Sequence, residues 1–327
     1  MRFNLKTFHN TLLCRSALVC FILLFFTLEV FPEASRVVIV KSSNRLEYEQ
    51  TSAEIIKSLV NNGVTVVAVE ELTTSSLSDN KKFWKTITEK NPDLIITVGT
   101  SATSSAIANV QSITIIFTMV LDQFDGIITR SYSTGSKDIS GVTLAISVQE
   151  QLEILREAMP LVRRVGFLYN KNSMQMYLMA RSITRDMGLQ LVPYEISSEG
   201  DISNALKDIL PEIDVFWMPP DAIIYNEPNI LRFILRECYI NSVPVMAVSK
   251  HLASAGAPIA LGIDYTDIGK QTAELVVRKL RNGNASHPVI ESPRKLILYI
   301  NNRVLSSLGI TIPDRVLGKA VPVESER

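Results

Sequence analysis

Residues 91–101 read NPDLIITVGTS and residues 211–221 read PEIDVFWMPPD. In each, a proline and an aspartate open a hydrophobic strand that empties into a short polar turn. Outward from the first copy, short runs rich in Val and Ile at 36–41 (RVVIVK), 64–69 (VTVVAV), 93–98 (DLIITV) and 113–118 (ITIIFT) alternate with stretches of helical period at 45–61, 79–90 and 101–109. The second copy sits in the same layout, with strands expected at 163–169, 189–195, 213–218 and 243–248 and helices at 173–187, 201–210 and 228–240. Asn62-Gly63 and Gly188 close helices as C-caps do, and Asn91-Pro92 marks the end of another. This alternation is the signature of βαβ units around a parallel sheet. The expected fold class is therefore α/β, in two lobes with parallel sheets built on one plan used twice. Open α/β sheets bind ligands at the carboxyl ends of their strands, where the strand order reverses, so two such sheets facing each other make a cleft.

The chain has 327 residues, 46% of them hydrophobic, ample for a buried core and long for a single domain of about 100–200 residues. Arg2, Lys6 and Arg15 precede an apolar stretch from Ala17 to Leu28, and Glu29 and Pro32 follow it, which is the order of a secretory signal. The stretch is shorter than the roughly 20 residues that span a bilayer. Residues 1–34 are thus expected to be a signal peptide and the remainder periplasmic, with a retained membrane anchor as the alternative, because Pro32 suits poorly a cut after Ala34. Cys20 follows Val19 in mid-stretch, where a lipoprotein would have a small residue. Loss of residues 1–34 takes away Arg2, Lys6, Arg15, Glu29 and Glu33, leaving 30 basic and 31 acidic side chains of the original 33 of each. That balance gives no general pull toward nucleic acid. Cys14 and Cys20 leave as well, so Cys238 remains alone on an expected helix, without an intrachain disulfide partner, and reads as a buried small hydrophobe.

The stretch 122–141 (DQFDGIITRSYSTGSKDISG) breaks the alternation and reads as a long loop leading to the first crossover between lobes. A helix at 267–281 ends at Asn282-Gly283, and a last strand at 295–300 (KLILYI) leads into the tail, so the chain is expected to cross more than once. The expected organisation is one lobe of 35–143 with 266–292 and a second of 144–265 with 293–327.

Catalytic chemistry finds little to work with. Apart from residues 1–34 the chain has two histidines, His251 and His287, with no carboxylate or second histidine at ligand spacing, so no metal site and no cofactor are expected. Residues 99–103 (GTSAT) at a strand-to-helix turn resemble a nucleophile elbow but lack its second glycine. No lysine follows as in a P-loop, and no Gly-rich dinucleotide fingerprint follows the first strand. The protein is not expected to be an enzyme. The turn suits an anion, through free backbone N–H groups, the positive end of the helix dipole and the hydroxyls of Thr100, Ser101 and Thr103. Simple N-capping by Thr100 or Ser101 fits the same residues, and the segment alone leaves both readings open.

Nine segments in order carry a resemblance over nearly all of the chain beyond residue 34. They are 97–106 (TVGTSATSSA), 115–122 (IIFTMVLD), 139–143 (ISGVT), 165–170 (VGFLYN), 217–221 (WMPPD), 243–249 (VPVMAVS), 262–272 (GIDYTDIGKQT), 300–302 (INN) and 308–313 (LGITIP). Together they resemble the periplasmic substrate-binding proteins of ABC importers, in the branch related to tryptophan and tyrosine binders. The resemblance implies the type I periplasmic-binding-protein fold, two Rossmann-like lobes joined by a hinge. It also implies a monomer that takes a small-molecule ligand, an amino acid for example, and an ABC permease in the inner membrane as partner. The cleft would be lined by Thr100, Ser101, Asp122, Asn170, Ser173, Asp221 and Asp264. Thr100 and Ser101 would take a ligand carboxylate and Asp264 or Asp122 its ammonium. Tyr169, Trp217 and Tyr265 are available for stacking, with core packing the favoured role for Trp217; Asp221 and Asp264 fit helix caps equally. The sequence departs from the family pattern at Gln123, where a proline usually follows the aspartate, so the ligand is free to differ.

Two other functions use the same features. The fold would serve equally for sensing, with the signal passed to a membrane kinase or receptor. A secreted α/β hydrolase or transferase would need Ser101 as nucleophile with a base in reach, and the shortage of histidines stands against it.

Overall fold

The computed structural model describes residues 35–73, 79–121, 139–220, 227–282 and 287–325. One sheet holds β1 (Arg36–Lys41), β2 (Thr65–Glu71), β3 (Leu94–Val98), β4 (Thr114–Val120), β5 (Ile139–Thr143) and β11 (Ile290–Glu291), in the spatial order β11-β5-β4-β3-β1-β2. Its pairings are all parallel. The other holds β6 (Arg164–Tyr169), β7 (Gln190–Glu195), β8 (Val215–Trp217), β9 (Val245–Ala247), β10 (Ile259–Ile263), β12 (Leu296–Ile300) and β13 (Val321–Pro322), in the order β13-β12-β10-β9-β8-β6-β7. Only the β10–β12 pair is antiparallel. The runs β5-β4-β3-β1-β2 and β10-β9-β8-β6-β7 are the same order twice, so the one-plan reading holds at the level of topology.

Both faces of each sheet are covered. In the first, Val37 and Ile39 point toward Ile55 and Leu59 of α1 (Leu46–Asn61) and Ile268 and Val276 of α9 (Tyr265–Asn282). Val38 and Val40 point the other way, toward Trp84 of α2 (Asn80–Thr88) and Ala102 and Ala106 of α3 (Thr100–Asn109). A strand buried on both sides has no polar face to show, which is why RVVIVK lacks period-two alternation. In the second sheet, Phe167 and Trp217 pack with Leu152 and Leu155 of α4 (Val148–Ala158) and Met176 of α5 (Met174–Asp186). Leu168 and Phe216 pack with Leu206 of α6 (Ile202–Ile209) and Ile234 of α7 (Pro228–Ile240) on the opposite face. Cys238 on α7 is fully buried, and burial pushes its thiol well above the usual range, so it stays a protonated packing group. Three short helices, α8 (Lys250–Ser254), α10 (Asn302–Ser307) and α11 (Asp314–Leu317), complete the set.

The duplicated proline-aspartate opening has a structural job. Asp93 Oδ2 accepts the N–H of Arg36 at 2.8 Å, which joins the start of β3 to the start of β1. Asp214 does the same between β8 and β6, accepting the N–H groups of Arg163 (2.9 Å) and Arg164 (2.8 Å) and pairing with the Arg164 guanidinium (2.8 Å). Each aspartate thereby ties together, at their amino ends, the two strands of its own sheet between which the strand order reverses.

The chain passes between the sheets after Thr143, after Ile263 and after Glu291. The first crossing starts α4 with a reciprocal cap: Ser147 Oγ accepts the N–H of Glu150 (3.1 Å), and Glu150 Oε2 accepts the N–H of Ser147 (3.3 Å). The stretch 122–141, expected as loop throughout, includes the first residues of β5. Its Ser-Gly composition hides a strand because Gly141 lies against Phe117, where an added Cβ would be 2.3 Å from the Phe117 carbonyl oxygen. β10 and α4 were likewise absent from the sequence expectations. Among the described residues no helix is long and apolar enough to cross a membrane.

Candidate functional site

In the first sheet the strand order reverses between β1 and β3, whose carboxyl ends lead to Ser42 and to Gly99. Gly99 has φ 94° and ψ 163°, a region open essentially to glycine alone. A Cβ there would lie 2.6 Å from Ser42 Oγ and 2.8 Å from the Tyr48 ring and hydroxyl. Ser42 Oγ in turn accepts the N–H of Ala102 (2.9 Å). Thr103, expected as a third hydroxyl for an anion, is buried and turned inward: its Oγ1 donates to the Gly99 carbonyl (2.9 Å) and lies 2.9 Å from Thr97 Oγ1. The N–H groups and hydroxyls of Thr100 and Ser101 have no hydrogen-bond partner among the described residues. They stand at the positive end of a ten-residue helix whose N-cap residue, Gly99, offers no side-chain cap, and Ser101 is exposed. Of the two readings of this turn, the structure gives no capping role to either hydroxyl and leaves the donors that an anion needs.

At the equivalent reversal in the second sheet, β6 leads to Asn170. Asn170 Oδ1 accepts the N–H groups of Asn172 (2.8 Å) and Ser173 (3.2 Å), and Ser173 Oγ accepts the N–H of Asn170 (2.9 Å). The structure thus brings these two expected site residues together in one tight turn ahead of α5. Ser173 is almost fully buried there, with its hydroxyl engaged in holding the turn.

Asp264 occupies the second crossing and caps α9: its Oδ1 accepts the N–H groups of Thr266 and Asp267, both at 3.1 Å. Its Oδ2 is 2.6 Å from Lys295 Nζ on the third crossing. Burial works to raise the Asp264 pKa, but the Lys295 ammonium and the two N–H donors outweigh it and hold the carboxyl below the usual carboxylate range. Asp264 is therefore a charged carboxylate at neutral pH. The adjoining Arg294 forks onto Asp267 (2.9 Å) and Glu274 (2.6 Å) of α9, Gln271 donates to Glu291 (2.9 Å), and Arg278 pairs with Glu291. One face of α9 is thus laced to the third crossing.

The aromatics divide. Trp217 is fully buried, 4.9 Å from Phe167 ring to ring, with Nε1 donating to Gln151 Oε1 (3.0 Å); it is core. Tyr169 is half-buried and stacked on Tyr177 at 4.5 Å, and burial together with the nearby Glu195 carboxylate raises its phenol pKa. Tyr265, also half-buried, is within electrostatic reach of Glu47, Tyr299, Arg45 and Tyr48, and burial raises its phenol pKa. Ser42, Tyr48 and Lys295 went unmarked in the sequence reading. Ser42 directly follows the first strand, the place a reversal point would indicate, but Tyr48 and Lys295 carried no local signal. Met119, at φ 58° in the bulge between Thr118 and Val120, is a strained residue that re-aims the end of β4 and accepts the Thr51 hydroxyl (3.5 Å). Asp122, Gln123 and Asp221 lie outside the described residues.

A cavity of about 450 Å³ is lined by Met159, Leu161, Val162, Asp214, Pro244 and Ile310 among others. It sits at the amino ends of β6, β8 and β9, opposite to the strand ends that open sheets use, and Asp214 is already saturated there.

A family model for ABC transporter substrate-binding proteins matches residues 70–324. The chain belongs to that family. Among solved structures, this substrate-binding protein superposes on the ligand-free, open form of a substrate-binding protein with adhesive properties from Clostridium difficile. The TM-score is 0.73 at 19% identity, covering 90% of this chain and all of that one. It is also similar to an ABC domain in complex with L-Trp from Streptococcus pneumoniae, with TM-score 0.63 at 18% identity, covering 89% and 100%. These likenesses establish the type I periplasmic-binding-protein fold. A curated relative, a tyrosine-binding protein of Clostridioides difficile, is 24% identical over 221 residues, 67% of this chain. The matched region spans 63% of that relative's length.

Proposed function

We propose that this substrate-binding protein captures an amino acid at the carboxyl ends of its two sheets and delivers it to the membrane permease of an ABC importer, after export to the periplasm directed by residues 1–34. The observation that carries the reading is the pair of opposite chemistries at those ends. Thr100 and Ser101 offer N–H and hydroxyl donors that have no partner among the described residues, and Asp264 offers a charged carboxylate for an ammonium. Asn170 and Ser173 shape the opposing turn, and Asp122 and Asp221 remain assigned to the lining. Tyr265 and Tyr169 are the residues we assign to stacking on a ligand ring. The tyrosine- and tryptophan-related names of its relatives agree with this class of ligand. Because three segments cross between the sheets, closure around the ligand is a hinge motion, and the permease would read the closed state.

The test is a thermal-shift screen of the purified protein against the twenty common amino acids. A ligand at 100 times its Kd stabilises by about 2.7 kcal/mol, a clear rise in Tm. If no amino acid moves the Tm, the reading is wrong. Transport is then tested by uptake of the ligand in cells carrying or lacking the gene.

A further inference from the structure

We propose that Lys295 is a tethered stand-in for the ligand's ammonium, held on Asp264 in the unliganded protein and displaced when ligand binds. The inference rests on the reading of Asp264 as the ammonium site.

Asp264 has two oxygens with different duties. Oδ1 is committed to the backbone of α9 through Thr266 and Asp267, so Oδ2 alone is open to an outside cation. Lys295 Nζ sits on it at 2.6 Å. A lysine Nζ and an amino acid's ammonium are the same chemical group, so the contact a ligand needs is already made by a side chain of the chain itself. The surroundings suit exchange. The Lys295 side chain is 61% exposed while that of Asp264 is 17% exposed, so the ammonium can swing into water on its four-carbon stem. Its backbone cannot follow, because the neighbouring Arg294 is forked onto Asp267 and Glu274 and the Lys295 carbonyl accepts the Asp264 N–H (3.3 Å). The same lacing keeps the tether short, which keeps the local ammonium concentration high.

Two consequences follow. Asp264 is never an uncompensated charge, with or without ligand. A ligand that uses Asp264 must bring a cation able to displace the lysine, so neutral and purely anionic molecules gain nothing at this position. Lys295 thus acts as a specificity filter at the hinge.

The experiment compares native protein with Lys295→Met and Lys295→Arg by calorimetric titration with L-tyrosine, L-tryptophan and whichever other common amino acid binds tightest. Each is paired with its deaminated carboxylic acid. Exposed ion pairs are worth little, so removing the competitor should tighten amino-acid binding about two- to five-fold. The deaminated acids should be unchanged, and Lys295→Arg, which keeps a cation on Asp264, should bind no tighter than native. A Lys295→Met that binds amino acids equally or more weakly overturns the proposal while leaving the amino-acid reading intact. Absence of binding by any amino acid to native and variant alike overturns both. Equal Tm values for unliganded native and Lys295→Met exclude a folding artefact; if the variant is less stable, the native-to-arginine comparison and the ratio of amino acid to deaminated acid within each variant still decide.

Discussion

Replacing Gly99 with valine abolishes ligand capture and lowers stability by several kcal/mol. Two independent penalties meet at this residue. Its φ of 94° and ψ of 163° lie where non-glycine residues pay about 1–3 kcal/mol, and a β-branched side chain is the worst suited to it. The added Cβ would also stand 2.6 Å from Ser42 Oγ and 2.8 Å from the Tyr48 ring. Overpacking of this kind costs about 1–3 kcal/mol more. Relief requires Ser42 to move, and Ser42 holds the Ala102 N–H at 2.9 Å, so the first turn of α3 and the donors of Thr100 and Ser101 shift with it. The control is Gly188→Ala. Gly188 also has positive φ, at 70°, but nothing lies within 4 Å of an added Cβ, so only the conformational cost of about 1–2 kcal/mol applies. Urea unfolding and calorimetric titration of both variants check the expectation. A Gly99→Val protein that binds normally and unfolds within about 1 kcal/mol of the Gly188→Ala protein contradicts the assignment of this turn.

Trp217→Ala is expected to be the most damaging change to the second lobe. The side chain is fully buried and packs on Phe167 at 4.9 Å, and truncating such an aromatic costs about 3–5 kcal/mol. The indole also satisfies Gln151 Oε1 (3.0 Å), while Gln151 Nε2 donates to the Ile146 carbonyl (2.8 Å) at the first crossing. Losing that partner adds about 1–3 kcal/mol for a stranded buried acceptor. Trp217→Phe separates the effects: it keeps a ring beside Phe167, loses the hydrogen bond, and should fall midway in urea unfolding. Because Trp217 is core and not a stacking platform, the folded phenylalanine variant should bind ligand as native does. A large loss of affinity without loss of stability would return Trp217 to the site.

Much of the architecture was legible because burial on both faces writes itself into the strands: short β-branched runs such as RVVIVK and DLIITV, alternating with stretches of helical period, fit a covered parallel sheet. Two of the strands that escaped notice, β5 and β10, carry a side chain that is small for a reason outside their own segment. Gly141 in β5 yields to Phe117 and Gly262 in β10 yields to the Tyr299 ring, 2.5 Å from where a Cβ would be; neither neighbour is near in sequence. The site divides along the same line. The turn that carries the candidate residues Thr100 and Ser101 was readable because a strand ending in Gly-Thr-Ser before a helix is a local pattern. The inward turn of Thr103, the contact of Tyr48 with Gly99 and the hold of Lys295 on Asp264, 31 positions apart, are tertiary facts with no local trace.

The aspartates that open β3 and β8 hold the amino ends of the two sheets, far along the strand from any ligand. Each strand is thereby held at one end and the proposed recognition sits at the other, so the carboxyl-end turns can differ without loosening the sheet. They differ in chemistry: the first turn runs Gly99-Thr100-Ser101, all able to donate N–H, and the second runs Pro219-Pro220, which have none. On the proposed reading, the scaffold is symmetric and its grip polarised: one lobe would hold an anionic group, and the other would be left to select what trails behind it.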